Sequence, residues 1–358
     1  MKLATVQKIH KIEQIPDADA IELAFVLGWQ VVVKKNEYKI NDYCCYIQID
    51  TVVPDKPEYE FLKNKKFRVR TIKLRKQLSQ GLIVPVPKSV KNYYEGKDLT
   101  KELEIKKYEK IDNNPEKNEK PRMPKIWYKK YIYLFKYNIL YKVFPFMLSK
   151  TRTSFPKNLV SVTDEERIQN VPNVLKTHKD KFFTVSYKFD GSSITIIHNR
   201  LFGKSKYRIC SRNFELHNKS NDWYKTFVST NFHIHIDALV KKFQTNDVIV
   251  QGECIGKFNG NHHNLSKDEI RLFNIYINGE RMLQNLMIAT CKELNIPYCN
   301  ELHEVILLNH TMEEILNMSN IPDLLNPKVP VEGLVWRCIN DNLSFKVINN
   351  NYLLKTEQ

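Results

Sequence analysis

No stretch of this 358-residue chain approaches the roughly 20 apolar residues that a membrane-spanning helix needs. The start, Met1-Lys2-Leu3-Ala4-Thr5-Val6, runs straight into strand-like sequence without the apolar centre of an export signal, so no leader is expected. Cysteine is unpatterned: seven residues, an odd number without CxxC spacing, indicate neither a zinc site nor a disulfide framework. Reduced thiols in an intracellular protein are expected, with cytoplasm and nucleus indistinguishable. A phosphate loop of the form GxxxxGK followed by Ser or Thr is absent, which removes a kinase of that type. Acidic residues are in deficit, 40 against 56 Lys and Arg, and the resulting net charge of +16 suits a polyanionic partner through phosphate neutralisation. With 42% apolar and 27% charged residues the chain is not disordered, and its length allows two domains with their own cores.

From Met1 to about Pro87 the pattern is β-rich, with strands expected over 3–9, 21–26, 29–33, 43–49 and 82–86. Pro16-Asp17-Ala18-Asp19, Asn41-Asp42 and Pro54-Asp55 supply the breaks. Five short strands in about 90 residues fit a small barrel of the OB type, with an SH3-like barrel as the alternative. Between Lys63 and Lys76 stand eight basic residues and no acidic one. Alternation through Phe67-Arg68-Val69-Arg70 places Arg68 and Arg70 on one strand face, suited either to a phosphate backbone or to a solvated, charge-protected edge. Residues 90–124 read as helix plus linker. Residues 127–148, rich in Tyr, Ile, Leu and Phe but broken by lysines, read as an amphipathic helix between domains, with an interfacial membrane helix as the second reading. The expected division is an OB-like domain over 1–100, a linker with a helical segment over 101–155, and a third region over 156–358. Thr163-Asp164-Glu165-Glu166-Arg167 has the form of a capped helix start.

In the third region, Lys188-Phe189-Asp190-Gly191 lies between two strand-like runs, and Asp-Gly there predicts a hairpin with Lys188 at a strand end. Ser211-Arg212-Asn213, Gly252-Glu253, Phe273-Asn274-Ile275-Tyr276, Val331-Glu332-Gly333-Leu334-Val335 and Ser344-Phe345-Lys346-Val347 follow in order. Each embeds a polar or aromatic residue in β-type sequence. Together they supply a nucleophile, separated carboxylates, an arginine, a stacking ring and a second lysine, the side chains needed to handle a nucleoside triphosphate. His262-His263 has no acidic or Cys neighbour at metal spacing and reads as loop.

These six ordered motifs resemble those of the covalent nucleotidyltransferase superfamily, and nearly the whole chain resembles its ATP-dependent RNA ligases with an N-terminal OB-type domain. The resemblance implies an α+β protein: a five-stranded OB-like barrel, a helical linker, and an ATP-grasp-like nucleotidyltransferase domain of antiparallel sheets with flanking helices. It implies that Lys188 takes up AMP from ATP, with Mg²⁺ or Mn²⁺, and that RNA 3′-OH and 5′-phosphate ends are joined by a monomer. Asp190 would orient Lys188 or help hold a hydrated metal. Arg167 and less surely Gln169 would lie near the nucleotide, Arg212 would meet phosphate or the RNA end, and Asn213 would shape its loop. Glu253 would meet ribose or metal-bound water, Phe273 would stack on adenine, Glu332 would hold a metal-bound water, and Lys346 would contact the α-phosphate. Relatives often carry a second lysine two residues after the first in the last motif; that position is Ile348 here, with Lys355 as a candidate substitute. Only twelve residues follow Lys346, which counts against the capping and DNA-ligase relatives that place an OB domain there. Those enzymes, and an inactive RNA-binding relative, are the alternatives.

Overall fold

Burial on both sides of one strand organises the N-terminal region. The computed structural model describes residues 2–108, 129, 132, 152–162, 164–201, 204–257 and 260–356. The five expected strands are present, as Ala4–Gln14, Ile21–Val26, Trp29–Lys34, Tyr43–Ile47 and Leu82–Val84. They form one antiparallel sheet in the order third, second, first, fourth, fifth. The two edge strands also approach each other, curling the sheet toward closure. Along Tyr43–Ile47 the side chains alternate: Cys44 and Tyr46 enter one apolar cluster, Cys45 and Ile47 another. Burial pushes the Cys44 and Cys45 thiols up to about 12, and all seven cysteines are buried and in no disulfide. The barrel core is not built from N-terminal residues alone. Ile348 and Leu353 pack into the cluster of Trp29, Val31 and Tyr46.

The chain divides in space into two compact units that each draw on separated segments. One comprises the described residues of 1–110, 165–189 and 300–358, the other those of 111–164 and 190–299. In the first, a second five-stranded sheet has the order Glu166–Arg167, Ser344–Ile348, Gly333–Cys338, Phe182–Lys188, Glu301–Leu307. Its pairs are antiparallel except the first, which is parallel. Phe183, Val185, Leu334, Trp336, Phe345 and Val347 line its apolar face, where the Trp336 and Phe345 rings stack with centroids 5.7 Å apart. In the second unit, a seven-stranded sheet carries Ser192–Leu201, Val248–Ile255 and Glu269–Ile277 side by side. Helices Asp222–Ser229, His233–Phe243 and Gln284–Glu293 cover it through Phe227, Ile236, Leu239, Met287 and Cys291.

Two local expectations are corrected. Asp190-Gly191 closes no hairpin: Phe182–Lys188 and Ser192–Leu201 belong to different sheets, and neither Asp190 nor Gly191 has the positive φ of a type I′ turn. Gly191 answers a different need, since a Cβ there would lie 2.5 Å from the Cys254 carbonyl oxygen. Glu166 and Arg167 are strand rather than helix, because backbone pairing with Phe345 and Lys346 outweighs the local helix-start pattern. The expected helix over 127–148 lies outside the described residues apart from Lys129 and Ile132, both helical. Among the described residues no helix is long and apolar enough to cross a membrane.

The barrel and the second sheet of the first unit meet at Gly28, whose N–H donates to the Gln169 carbonyl at 2.9 Å. A Cβ at Gly28 would lie 2.7 Å from both Gln169 Cα and Met312 Cε. Gly28→Ala is therefore expected to lower stability by about 1–3 kcal/mol through overpacking, read as a lower denaturant midpoint.

Candidate active site

Alternation along Phe182–Lys188 sends Phe183 and Val185 into the core and Thr184, Ser186 and Lys188 to the opposite face. The neighbouring strands keep that register. Lys188 pairs with Gly333, Ser186 with Val335 and Thr184 with Arg337, while Val335 pairs with Lys346, and Lys346 with Arg167. Lys188, Arg337, Lys346 and Arg167 therefore share one polar face behind which the aromatic core is packed. Gly333 is required there: a Cβ would collide with the Val347 carbonyl oxygen.

Glu332, one residue before this strand begins, meets Lys188 Nζ at 2.7 Å, with both side chains largely buried. Arg337 is 4% exposed, and its Nη2 donates to Glu165 Oε1 at 2.8 Å. Burial by itself raises the Glu165 carboxyl, but Arg337, the residue's own backbone N–H, Lys346 and Lys188 together hold it below its usual 4.5. Arg167 Nη2 donates to Asp50 Oδ2 and Arg68 Nη2 to Asp50 Oδ1, each at 2.9 Å, so one barrel carboxylate joins two arginines. Arg68 also stacks on Tyr108, 3.7 Å from the ring centre. Trp29 Nε1 donates to Asn170 Oδ1 at 2.7 Å beside this junction. Gln169 is buried and Arg70 half-buried, while Lys355 is exposed on the helix Asn350–Thr356.

The second unit carries the remaining predicted residues. Asp190 accepts through its carbonyl from His263 Nε2 at 3.0 Å, and its carboxylate lies 3.8 Å from His262 Nδ1. A carbonyl only accepts, so Nε2 of the buried His263 carries the proton. Arg212 Nη2 donates to Asp164 Oδ2 at 2.7 Å, and Asn213 holds the same turn through its carbonyl, which accepts from Phe155 N at 3.1 Å. Glu253 stands between Ser193 and Arg271 across three paired strands. Phe273 is the extra residue where the register slips between Gln251–Asn274 and Gly252–Leu272, a β-bulge that frees its half-buried ring from the pleat.

Sequence reasoning passed over five participants. Arg337 was detectable, as a charge inside the buried run Leu334–Cys338 that must find a partner. Glu165 had a weaker signal, the alternation with Arg167 across exposed Glu166. The pairing of His262 and His263 with Asp190, and of Asp50 with Arg167, spans separations that no local pattern encodes.

Among the described residues no three His, Cys, Asp or Glu side chains converge as a metal cage. The donors at hand are carboxylates, which suits a hard cation that keeps several waters and needs only one or two protein oxygens.

The fold and the polar face are those of a nucleotidyltransferase domain joined to an OB-fold domain. An OB-fold domain model matches residues 3–86, and an RNA ligase model matches residues 181–348. Among solved structures, the Naegleria gruberi RNA ligase is similar over the full length. A mutant of it with ATP and Mn gives 29% identity and a TM-score of 0.78, covering 100% of each chain. An apo mutant gives 30% and 0.79, covering 99% of this chain and 98% of that one, and the ligase with pyrophosphate gives 30% and 0.78 at the same coverage. A comparison with curated proteins finds no match. The chain belongs to the RNA ligases, in the group with an N-terminal OB domain.

The folded-state value of Glu165 lies below the unfolded one, so its charge adds stability above pH 4.5, lost as pH falls through the folded value. Glu165→Gln is expected to cost about 1–3 kcal/mol at neutral pH by leaving the Arg337 charge uncompensated. The difference from wild type should vanish in the acid range, as read from denaturant midpoints across pH.

Proposed function

We propose that the chain seals RNA 3′-OH and 5′-phosphate ends through a covalent lysyl-AMP, using ATP and Mg²⁺ or Mn²⁺. The observation that carries this reading is Lys188 at a strand end, 2.7 Å from Glu332, on a face shared with Lys346 and Arg167. Lys188 Nζ, once it has lost a proton, attacks the α-phosphorus of ATP: an N–P bond forms, the bond to the bridging oxygen breaks, and pyrophosphate leaves. An oxygen of the RNA 5′-phosphate then takes the AMP and frees the lysine. Attack by the 3′-OH on the activated 5′-phosphorus finally makes the phosphodiester and releases AMP.

Negative charge builds on phosphate oxygens in each step, and Lys346 and Arg167 are the cations of the first unit suited to meet it. Glu332 orients Nζ at rest and offers a carboxylate oxygen to a hydrated metal; in the second unit Asp190 and Glu253 are the carboxylates suited to the same task. The metal, when bound, supplies charge neutralisation on phosphate. Phe273, lifted by its bulge, serves as the adenine platform and Glu253 as a partner for the ribose. Arg212 and Asn213 serve the RNA end, as do Arg68, Arg70 and Lys355. Arg68 is held by Asp50, so its part is to set the position of Arg167 as much as to touch phosphate.

Protein mixed with ATP labelled at the α-phosphate and Mn²⁺, then denatured, is expected to retain label. Lys188→Ala should lose all of it while keeping the wild-type circular dichroism spectrum, since the lysine ends its strand on the polar face and takes no part in the aromatic core. Glu332→Ala should slow metal-dependent labelling by about 10²-fold. Label from GTP, or none from either nucleotide in folded wild type, overturns the assignment.

A further inference from the structure

The polar face accounts for only part of the basic stretch between Lys63 and Lys76. Lys63 pairs with Glu60 at 2.7 Å, and Arg68 is held by Asp50. Lys73, Arg75 and Lys76 are different: all three are exposed, and among the described residues none has an ion-pair partner. They sit on a two-stranded hairpin, Thr71–Leu74 paired with Gln77–Gln80, whose two-residue turn is Arg75-Lys76.

That turn is made of the wrong residues for closing a hairpin. Arg75 and Lys76 have φ of 45° and 65°, the left-handed backbone that a type I′ turn demands and that Asn-Gly adopts with least strain. Two adjacent side chains with a Cβ are held there, and both are cations. The hairpin base is fixed: Val32 N donates to Ser79 Oγ and Gln30 Nε2 to the Leu78 carbonyl, each at 3.0 Å. Thr71, Ser79 and Gln80 are buried, so the arm is anchored at its root and exposed at its tip. The register puts Ile72 and Leu74 on one face, 41% and 39% exposed, an aliphatic strip that leads to the charged turn, with Lys73 on the opposite face.

We propose that this hairpin is an arm that grips the phosphate backbone of the RNA substrate, with Arg75 and Lys76 at its tip neutralising phosphates and Ile72 and Leu74 lying against sugar faces. This rests on the RNA-sealing reading above and adds to it a place for the RNA on the barrel. The arm is tied to the catalytic sheet. The helix Asn350–Thr356 packs against Thr71–Leu74, and Gln80 Nε2 donates to Asn350 Oδ1 at 3.1 Å, two residues past the strand that carries Lys346. RNA held by the arm is therefore held at a set position relative to Lys346 and Lys188, all within one unit.

The decisive variant combines Arg75→Asn with Lys76→Gly, which installs the residues the turn prefers and removes both charges. Its folding should be unimpaired, with an unchanged or higher melting temperature, and label transfer from ATP to Lys188 should match wild type. RNA affinity should fall about tenfold near 0.15 M salt, and the slope of log K against log salt should become shallower by about 1.4, the release of two counterion equivalents on a single strand. Sealing at low RNA concentration should fall in proportion and recover at saturating RNA. Unchanged affinity and salt slope in this folded variant would overturn the arm. Failure of wild type to take label from ATP would instead remove the adenylyl-transfer reading while RNA binding still reports on the hairpin.

Discussion

Backbone pairing between Phe182–Lys188 and Gly333–Cys338 sets the register on which the polar face depends. It places Lys188 opposite Gly333, and so brings Glu332 to the lysine amine; it places Arg337 opposite Thr184 and, through the next strand, Lys346 beside Arg167. Because side chains alternate with a period of two, the same register seats Phe183, Trp336 and Phe345 together on the far side. Slipping the strand by one residue would send Lys188 into that aromatic core and expose Tyr187's neighbours to water. Packing and chemistry are thus enforced by one set of hydrogen bonds.

Charge on the polar face is balanced rather than merely positive. Lys188 has Glu332, Arg337 has Glu165, and Arg167 shares Asp50 with Arg68. Guanidinium and ammonium groups with this little access to water need such partners, since leaving a buried charge unpaired destabilises the fold. Asp50 has a further effect. It belongs to the barrel, so the N-terminal domain takes part in positioning an arginine of the nucleotidyltransferase sheet.

The barrel in turn is completed by the end of the chain. Ile348 and Leu353 fill its core, and the helix that bears Leu353 supports the basic hairpin. The barrel, the strand that bears Lys346 and the C-terminal helix therefore behave as one packed body, and a region over 1–100 considered alone would leave apolar surface at Trp29 and Tyr46 uncovered.

Local pattern carried the barrel strands, the ordered motifs and their residues, because a period of two and a strand-end lysine are written in neighbouring positions. Phe273 was legible as a ring within a strand. That it occupies a bulge was not, since a register slip depends on Gly252 and Leu272 pairing across two strands. Asp190-Gly191 misled: its composition suits a tight turn, yet the chain uses the glycine where the Cys254 carbonyl comes close and passes into a different sheet. Glu166 and Arg167 carried a helix-start signal that strand pairing overrode. By itself, then, the sequence determined which side chains are available for phosphate chemistry and the order in which they occur. The tertiary structure decided which of them meet, placing Glu332 on Lys188, Glu165 on Arg337 and Asp50 between two arginines. Strand register and domain packing act over separations of up to 270 residues, far beyond the reach of any local pattern.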